Sequence, residues 1–161
     1  VSDHPSHDAL SAFLRGELSP EGRRGRKMDA IERVESQLAL SWSMRYEDPS
    51  LMAQFAMLAV RSARDLTPRR HGVERVFDLQ GRAHAELGNA YRVLDQHDLA
   101  EENLDRARHL LELGSRDESL QVRLLELEAS LEADRRRFGL AANLLLQVSG
   151  FYQRTGDRHL A

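Results

Sequence analysis

Apolar residues recur along this chain three or four positions apart, with polar and charged residues between them, which is the spacing of amphipathic helices. Ile31, Val34, Leu38, Trp42 and Tyr46 form one stripe and predict a helix from about Lys27 to Tyr46 with both aromatics inward. Asp48-Pro49 ends it and opens the next helix, Asp48 as cap and Pro49 in the first turn, where a missing N–H costs nothing. Met52, Ala56, Ala59, Ala63 and Leu66 then make a narrow stripe of mostly small residues, so two helix backbones can approach closely, and Thr67-Pro68 closes the helix. A long helix is predicted from about Val73 to Leu94, with Val76, Leu79, Ala83, Leu87, Ala90, Tyr91 and Leu94 inward. After a tight connection at 95–98, Ala100, Leu104, Ala107 and Leu111 mark its partner, with Gly114 as C-terminal cap. Asp117 opens a helix carrying Leu120, Leu124, Leu127 and Leu131. The next helix holds Phe138, Ala141, Leu145, Val148 and Tyr152 as its inward positions. Residues 155–157 turn the chain, and 158–161 read as the first turn of a further helix. Strand-type alternation of Val, Ile and Thr is absent, so the class is all-α.

The N-terminal part is organised differently. Ser6 caps a short predicted helix with Leu10, Phe13 and Leu14 on one face, and Gly16 ends it. Ser19-Pro20-Glu21 reads as a second helix start that Gly22 and Gly25 interrupt, leaving residues 22–27 as a basic linker. The chain therefore divides into residues 1–26, a helical segment with a basic linker, and residues 27–161, an array of helix pairs.

Helix pairs joined by short turns and recurring along a chain are the mark of a solenoid. Leu87-Gly88, Tyr91, Ala100, Leu104 and Ala107 fall at the spacings of the tetratricopeptide signature, with His84 where that signature prefers tryptophan. Forty-one residues on, Ala129 stands for Gly88, Ala141 for Ala100 and Leu145 for Leu104, a longer period than the ~34 of the family. The resemblance to tetratricopeptide proteins extends over 81–114, less closely over 115–157 and loosely over 27–66, and it implies a right-handed superhelix of antiparallel helix pairs. In that fold Leu87, Gly88, Tyr91, Ala100, Leu104 and Ala107 are the packing positions. Gly88 and Ala100 are then small because two helices cross there. The fold also implies a peptide-binding groove on the first helices of the pairs, for which Arg82, Asn89, Arg92, Glu126 and Ser130 are the candidates. The carboxylate clamp of some of these proteins needs a lysine where Ala85 stands.

A second resemblance lies in His4-Pro5-Ser6-His7-Asp8-Ala9-Leu10 and Phe13-Leu14-Arg15-Gly16-Glu17-Leu18-Ser19-Pro20-Glu21, which is similar to the opening of bacterial zinc-binding anti-sigma-factor domains. Those domains continue into a helix with His and Cys-x-x-Cys, whereas this chain has no cysteine, so a zinc site of that type cannot form. The whole chain resembles bacterial proteins that join such a segment to degenerate tetratricopeptide repeats, Ala83 through Arg92 being the part most like them.

Composition narrows the picture. The chain has 161 residues, a formal charge of −3 and 30% charged residues, a balance that argues against general electrostatic binding to nucleic acid. No window is apolar enough to span a bilayer, and the first residues do not form a secretory signal. With no cysteine there are no structural disulfides, which fits a reducing cytoplasm. His4 and His7 lack a third ligand and read as solvated, Arg23, Arg24, Arg26 and Lys27 as a basic linker rather than a phosphate loop, and Arg135-Arg136-Arg137 as solvated cations at a helix end. No nucleophile or paired-carboxylate motif of an enzyme is present.

The expected function is a non-catalytic scaffold, without metal or cofactor, that binds a protein or peptide. The alternative is an anti-sigma-type regulator whose residues 1–26 hold a sigma factor. Leu144, Val148, Phe151 and Tyr152 are the candidates for an exposed, uncapped face through which copies of the chain self-associate.

Overall fold

The computed structural model describes residues 28–156, and every regular element among them is a helix. The expected N-terminal helix, His4, His7 and the basic linker up to Lys27 lie outside the described residues, as do residues 157–161.

Local chemistry sets the helix starts. Helix α1 is Ala30–Met44. Its first turn is closed by reciprocal bonds: the Glu32 N–H donates to the Asp29 carboxylate at 2.9 Å and the Asp29 N–H donates to the Glu32 carboxylate at 3.0 Å. Helix α2, Pro49–Arg64, begins as the sequence predicts, with the Leu51 N–H donating to the Asp48 side chain. A single turn, α3 (Pro68–His71), occupies the expected loop. Gly72, at φ +88°, then redirects the chain, a conformation that disfavours any residue with a Cβ. Helix α4 is Val73–Val93, α5 His97–Leu113, α6 Glu118–Asp134 and α7 Phe138–Thr155. Asp117 caps α6, accepting from the Ser119 and Leu120 N–H groups.

Consecutive helices pack as three pairs, α1 with α2, α4 with α5, and α6 with α7. The contacts in the middle pair run in opposite directions along the two helices: Gly81 faces Leu111, Gly88 faces Leu104, and Gly114 faces Asp78. The pairs are joined because α2 packs on α4 and α5 on α6. The first helices of the pairs also meet, α1 with α4 and α4 with α6.

The core follows this order. Ile31, Val34 and Leu38 of α1 meet Ala56, Ala59 and Ala63 of α2 and Val76, Leu79 and Ala83 of α4. Ala100, Leu104, Ala107 and Leu111 of α5 meet Leu124, Leu127 and Leu131 of α6. Tyr91 packs against both clusters. The predicted packing residues Leu87, Gly88, Ala100, Leu104 and Ala107 are all buried. A Cβ on Gly88 would lie 2.9 Å from Leu104 Cγ and 3.1 Å from the Ala100 carbonyl oxygen, so the close crossing favours glycine there. Gly81 is a second such position, which the sequence reading missed: its Cβ would sit 2.7 Å from Leu111.

The 41-residue correspondence extends to the turns. Asp95 and Arg136 both adopt left-handed backbone, φ +58° and +60°. Around them the Gln96 N–H donates to Tyr91 O at 2.9 Å and the Arg137 N–H donates to Glu132 O at 2.8 Å. The same hydrogen-bonded helix ending therefore occurs twice, 41 residues apart.

Several sequence expectations are corrected. Trp42 and Tyr46 are not core residues but 44% and 86% exposed. The inward line of α1 passes through Ile31, Val34, Leu38 and Ser41. Ser41 is fully buried and donates to Met52 O at 3.0 Å, so Trp42, one position on, is rotated away from α2. Phe138 and Leu145, expected inward, are exposed, because α7 packs on α6 alone among the described elements. Val148, expected on an exposed face, is buried with Ala141 against α6, and Leu144, Phe151 and Tyr152 are half-buried. Gly114 does cap α5, but at φ −83° rather than in left-handed conformation. Its small size is needed because a Cβ would lie 2.0 Å from Asp78 Oδ1, which accepts from the Ser115 N–H. Arg135 is not a solvated cation: its side chain is largely covered, and it donates to His97 O at 3.1 Å and pairs with Glu101 at 2.9 Å, tying α6 to α5.

Candidate functional site: the groove across α1, α4 and α6

The meeting of the first helices leaves a groove of about 360 Å³. Helix α1 contributes Glu35, Leu38, Ala39 and Trp42, which share one face because they lie about one and two turns apart. Helix α4 contributes Arg82, Ala85 and Glu86, α6 contributes Leu120 and Arg123, and Leu111 of α5 closes the floor. Leu38, Ala85 and Leu111 are buried core residues, so the floor is rigid and apolar.

The rim is charged and partly occupied with itself. Arg82 faces Glu35 at 3.9 Å, both well exposed, so the pair adds little to stability and is free to exchange partners. Arg123 donates to Glu86 Oε1 at 3.3 Å and lies 3.6 Å from Glu126. The Arg123 guanidinium also sits 4.9 Å from the centre of the Trp42 ring, and Arg45 stacks on Trp42 at 4.0 Å and on Tyr46 at 4.4 Å. Two atoms beside this cation–aromatic cluster are buried without a hydrogen-bond partner: Glu86 Oε2 and Arg45 Nε. Buried polar groups ordinarily find such a partner, so these two atoms are exceptions in the wall of the site.

Only part of the predicted groove set meets here. Arg82 lines the groove, and Glu126 stands behind Arg123, held by the Tyr152 hydroxyl at 2.9 Å. Asn89 and Arg92 do not reach out for a peptide. Asn89 is 5% exposed, and its Oδ1 accepts from Arg92 Nε at 3.2 Å and Nη2 at 3.0 Å. Arg92 in turn pairs with Asp134 at 2.7 Å, so the two residues lock α4 to α6. Ser130 is turned back onto its own helix, its hydroxyl donating to Glu126 O. Glu35, Ala39 and Arg123 were missed, and Trp42 was assigned to the core, with a ligand groove as the alternative. Arg45 three residues after Trp42 was the available signal, since that spacing lets the cation cover the ring.

A second, more polar cleft of about 540 Å³ lies between α2, α4 and α5, with Arg64, His84, Asn103, Arg106 and His109 on its walls. His84 Nδ1 is 2.9 Å from Asn103 Oδ1, and the Asn103 amide nitrogen donates to Leu99 O, so Nδ1 is the protonated nitrogen of His84. Burial lowers the pKa of this imidazole, and the hydrogen bond to Asn103 opposes part of that shift. Among the described residues no group of three or more His, Cys, Asp or Glu side chains is placed to hold a metal ion, and no helix is long and apolar enough to cross a membrane.

No protein-family model, curated protein or solved structure matches this chain.

Proposed function

We propose that the chain is a non-catalytic scaffold of tetratricopeptide type that holds a segment of another protein in the groove across α1, α4 and α6. The observation that carries this reading is Trp42, the only tryptophan, standing 44% exposed at the groove wall beside Arg45 and Arg123 over an apolar floor. Exposing a large aromatic is unfavourable in water, and tryptophan and arginine are the residues most enriched where binding energy concentrates. The open groove is small for a drug-like ligand, near the bottom of the ~300–1,000 Å³ range of enclosed small-molecule clefts, and suits side chains projecting from a segment laid across the helices. Arg82 and Arg123 offer donors to carboxylates or backbone carbonyls. The regular helix pairs, the close Gly88/Ala100 crossing and the burial of Ala129 and Ala141 forty-one residues on support the tetratricopeptide reading.

The test is a photo-reactive side chain placed at Ala39, in the groove, and at Arg61, outside it, in the native cell. The reading expects a discrete adduct at Ala39 that disappears with Trp42→Ala while the helical content is unchanged. The same adducts from Arg61, or an Ala39 adduct insensitive to Trp42→Ala, would refute it.

A further inference from the structure

Helix α7 presents an outward face whose counterpart one repeat earlier is covered by a helix. Ala142, Leu145 and Ser149 correspond, 41 residues on, to Glu101, Leu104 and Arg108 of α5. On α5 those three positions meet α6: Glu101 pairs with Arg135, Leu104 packs with Leu124, Leu127 and Leu131, and Arg108 pairs with Glu128. Leu104 is accordingly 2% exposed, whereas Leu145 is 52% exposed, and Leu146 beside it is 69% exposed. On α5, the corresponding face is fitted by another helix.

The side chains specify which kind. Contact between α5 and α6 uses opposite charges, so each helix is made for a different partner. On α7 the charged positions are replaced by Ala142 and Ser149, and no charged side chain occurs from Phe138 through Gln153. A two-fold pairing brings a surface against itself and would set any charge near its own copy. An uncharged face has no such penalty. Small residues flank the leucines, and a Cβ on Gly139 would meet nothing within 4 Å, so a facing helix can come close. We propose that α7 is a dimerisation helix that packs on α7 of a second copy about a two-fold axis near Leu145 and Leu146. Helix α7 contributes none of the groove's lining.

Sedimentation equilibrium over roughly three decades of concentration, into the high-micromolar range of weak interfaces, tests this. The expected result is growth from 18.3 kDa to a plateau at twice that mass. A monomer throughout would overturn the proposal. So would growth without a plateau, which is the signature of head-to-tail stacking between unlike faces. Leu146→Glu, at a position too exposed to disturb the fold, should weaken dimerisation at least about tenfold with an unchanged circular dichroism spectrum. A dimer unaffected by it would place the interface elsewhere and refute the assignment. Because the chain has no cysteine, Leu146→Cys should form a disulfide-linked dimer on oxidation and Arg61→Cys should not; the reverse would count against it.

Discussion

Replacing Gly88 by alanine sets two effects of opposite sign against each other at one atom. Alanine is the better helix residue, by about 0.8–1.0 kcal/mol in a helix interior. The added methyl, however, would lie 2.9 Å from both Cγ and Cδ2 of Leu104 and 3.1 Å from the Ala100 carbonyl oxygen. Cγ is the branch point of the side chain, so a rotation of its tip does not relieve the contact. Nor can Leu104 retreat, since it is fixed on its far side by Leu124, Leu127 and Leu131. Overpacking of this kind costs about 1–3 kcal/mol, so Gly88→Ala is expected to be neutral to about 2 kcal/mol destabilising in spite of its helix propensity. Leu104→Ala alone should cost about 2–5 kcal/mol through the cavity it leaves. In that background the obstruction is gone, and Gly88→Ala should become stabilising. Urea unfolding of the four proteins of the cycle, followed by helical signal, reads the coupling directly, and about 1–3 kcal/mol is expected. Additive effects, or a Gly88→Ala protein more stable than the parent by the full propensity gain, would show that the crossing is not as close as described.

Two further outcomes follow from buried polar groups. His84 has its pKa lowered from 6.5 by burial, so between its folded value and 6.5 the unfolded chain binds more protons than the folded one. Its neutral form is therefore fully compatible with the fold above 6.5, and stability should fall as pH drops below that value; His84→Gln should flatten the decline in denaturation measured across mildly acid pH. Arg135→Ala removes the donor to His97 O and the tie between α6 and α5, and should cost about 1 kcal/mol in urea unfolding, its pairs with the exposed Asp98 and Glu101 contributing little. Arg135→Lys should restore only a fraction, since a single ammonium cannot span the carbonyl and both carboxylates.

Much of the architecture was legible in the sequence by itself, because it depends on near neighbours. Asp48-Pro49 and Asp117 fix helix starts through side-chain bonds to the first free N–H groups, and those bonds involve only residues two or three positions away. The crossing at 88 and 100 was implied by the resemblance of Leu87-Gly88, Tyr91, Ala100, Leu104 and Ala107 to the tetratricopeptide signature, and a Cβ on Gly88 would indeed press on Leu104 and the Ala100 carbonyl. What periodicity does not contain is which neighbour lies over each side of a helix. On α1 the inward line runs through the hydroxyl of Ser41, which the Met52 carbonyl satisfies, and this contact across eleven residues is what turns the more apolar Trp42 outward. Asn89 and Arg92 had the spacing of groove residues, but a carboxylate forty-two positions away, Asp134, drew them into the joint between α4 and α6. On α7 the sequence supplied more apolar positions than one neighbouring helix can cover. Tertiary packing decided that Ala141 and Val148 take the side against α6 and that Leu145 and Leu146 remain on the surface, because a helix buries only the sides on which another helix lies.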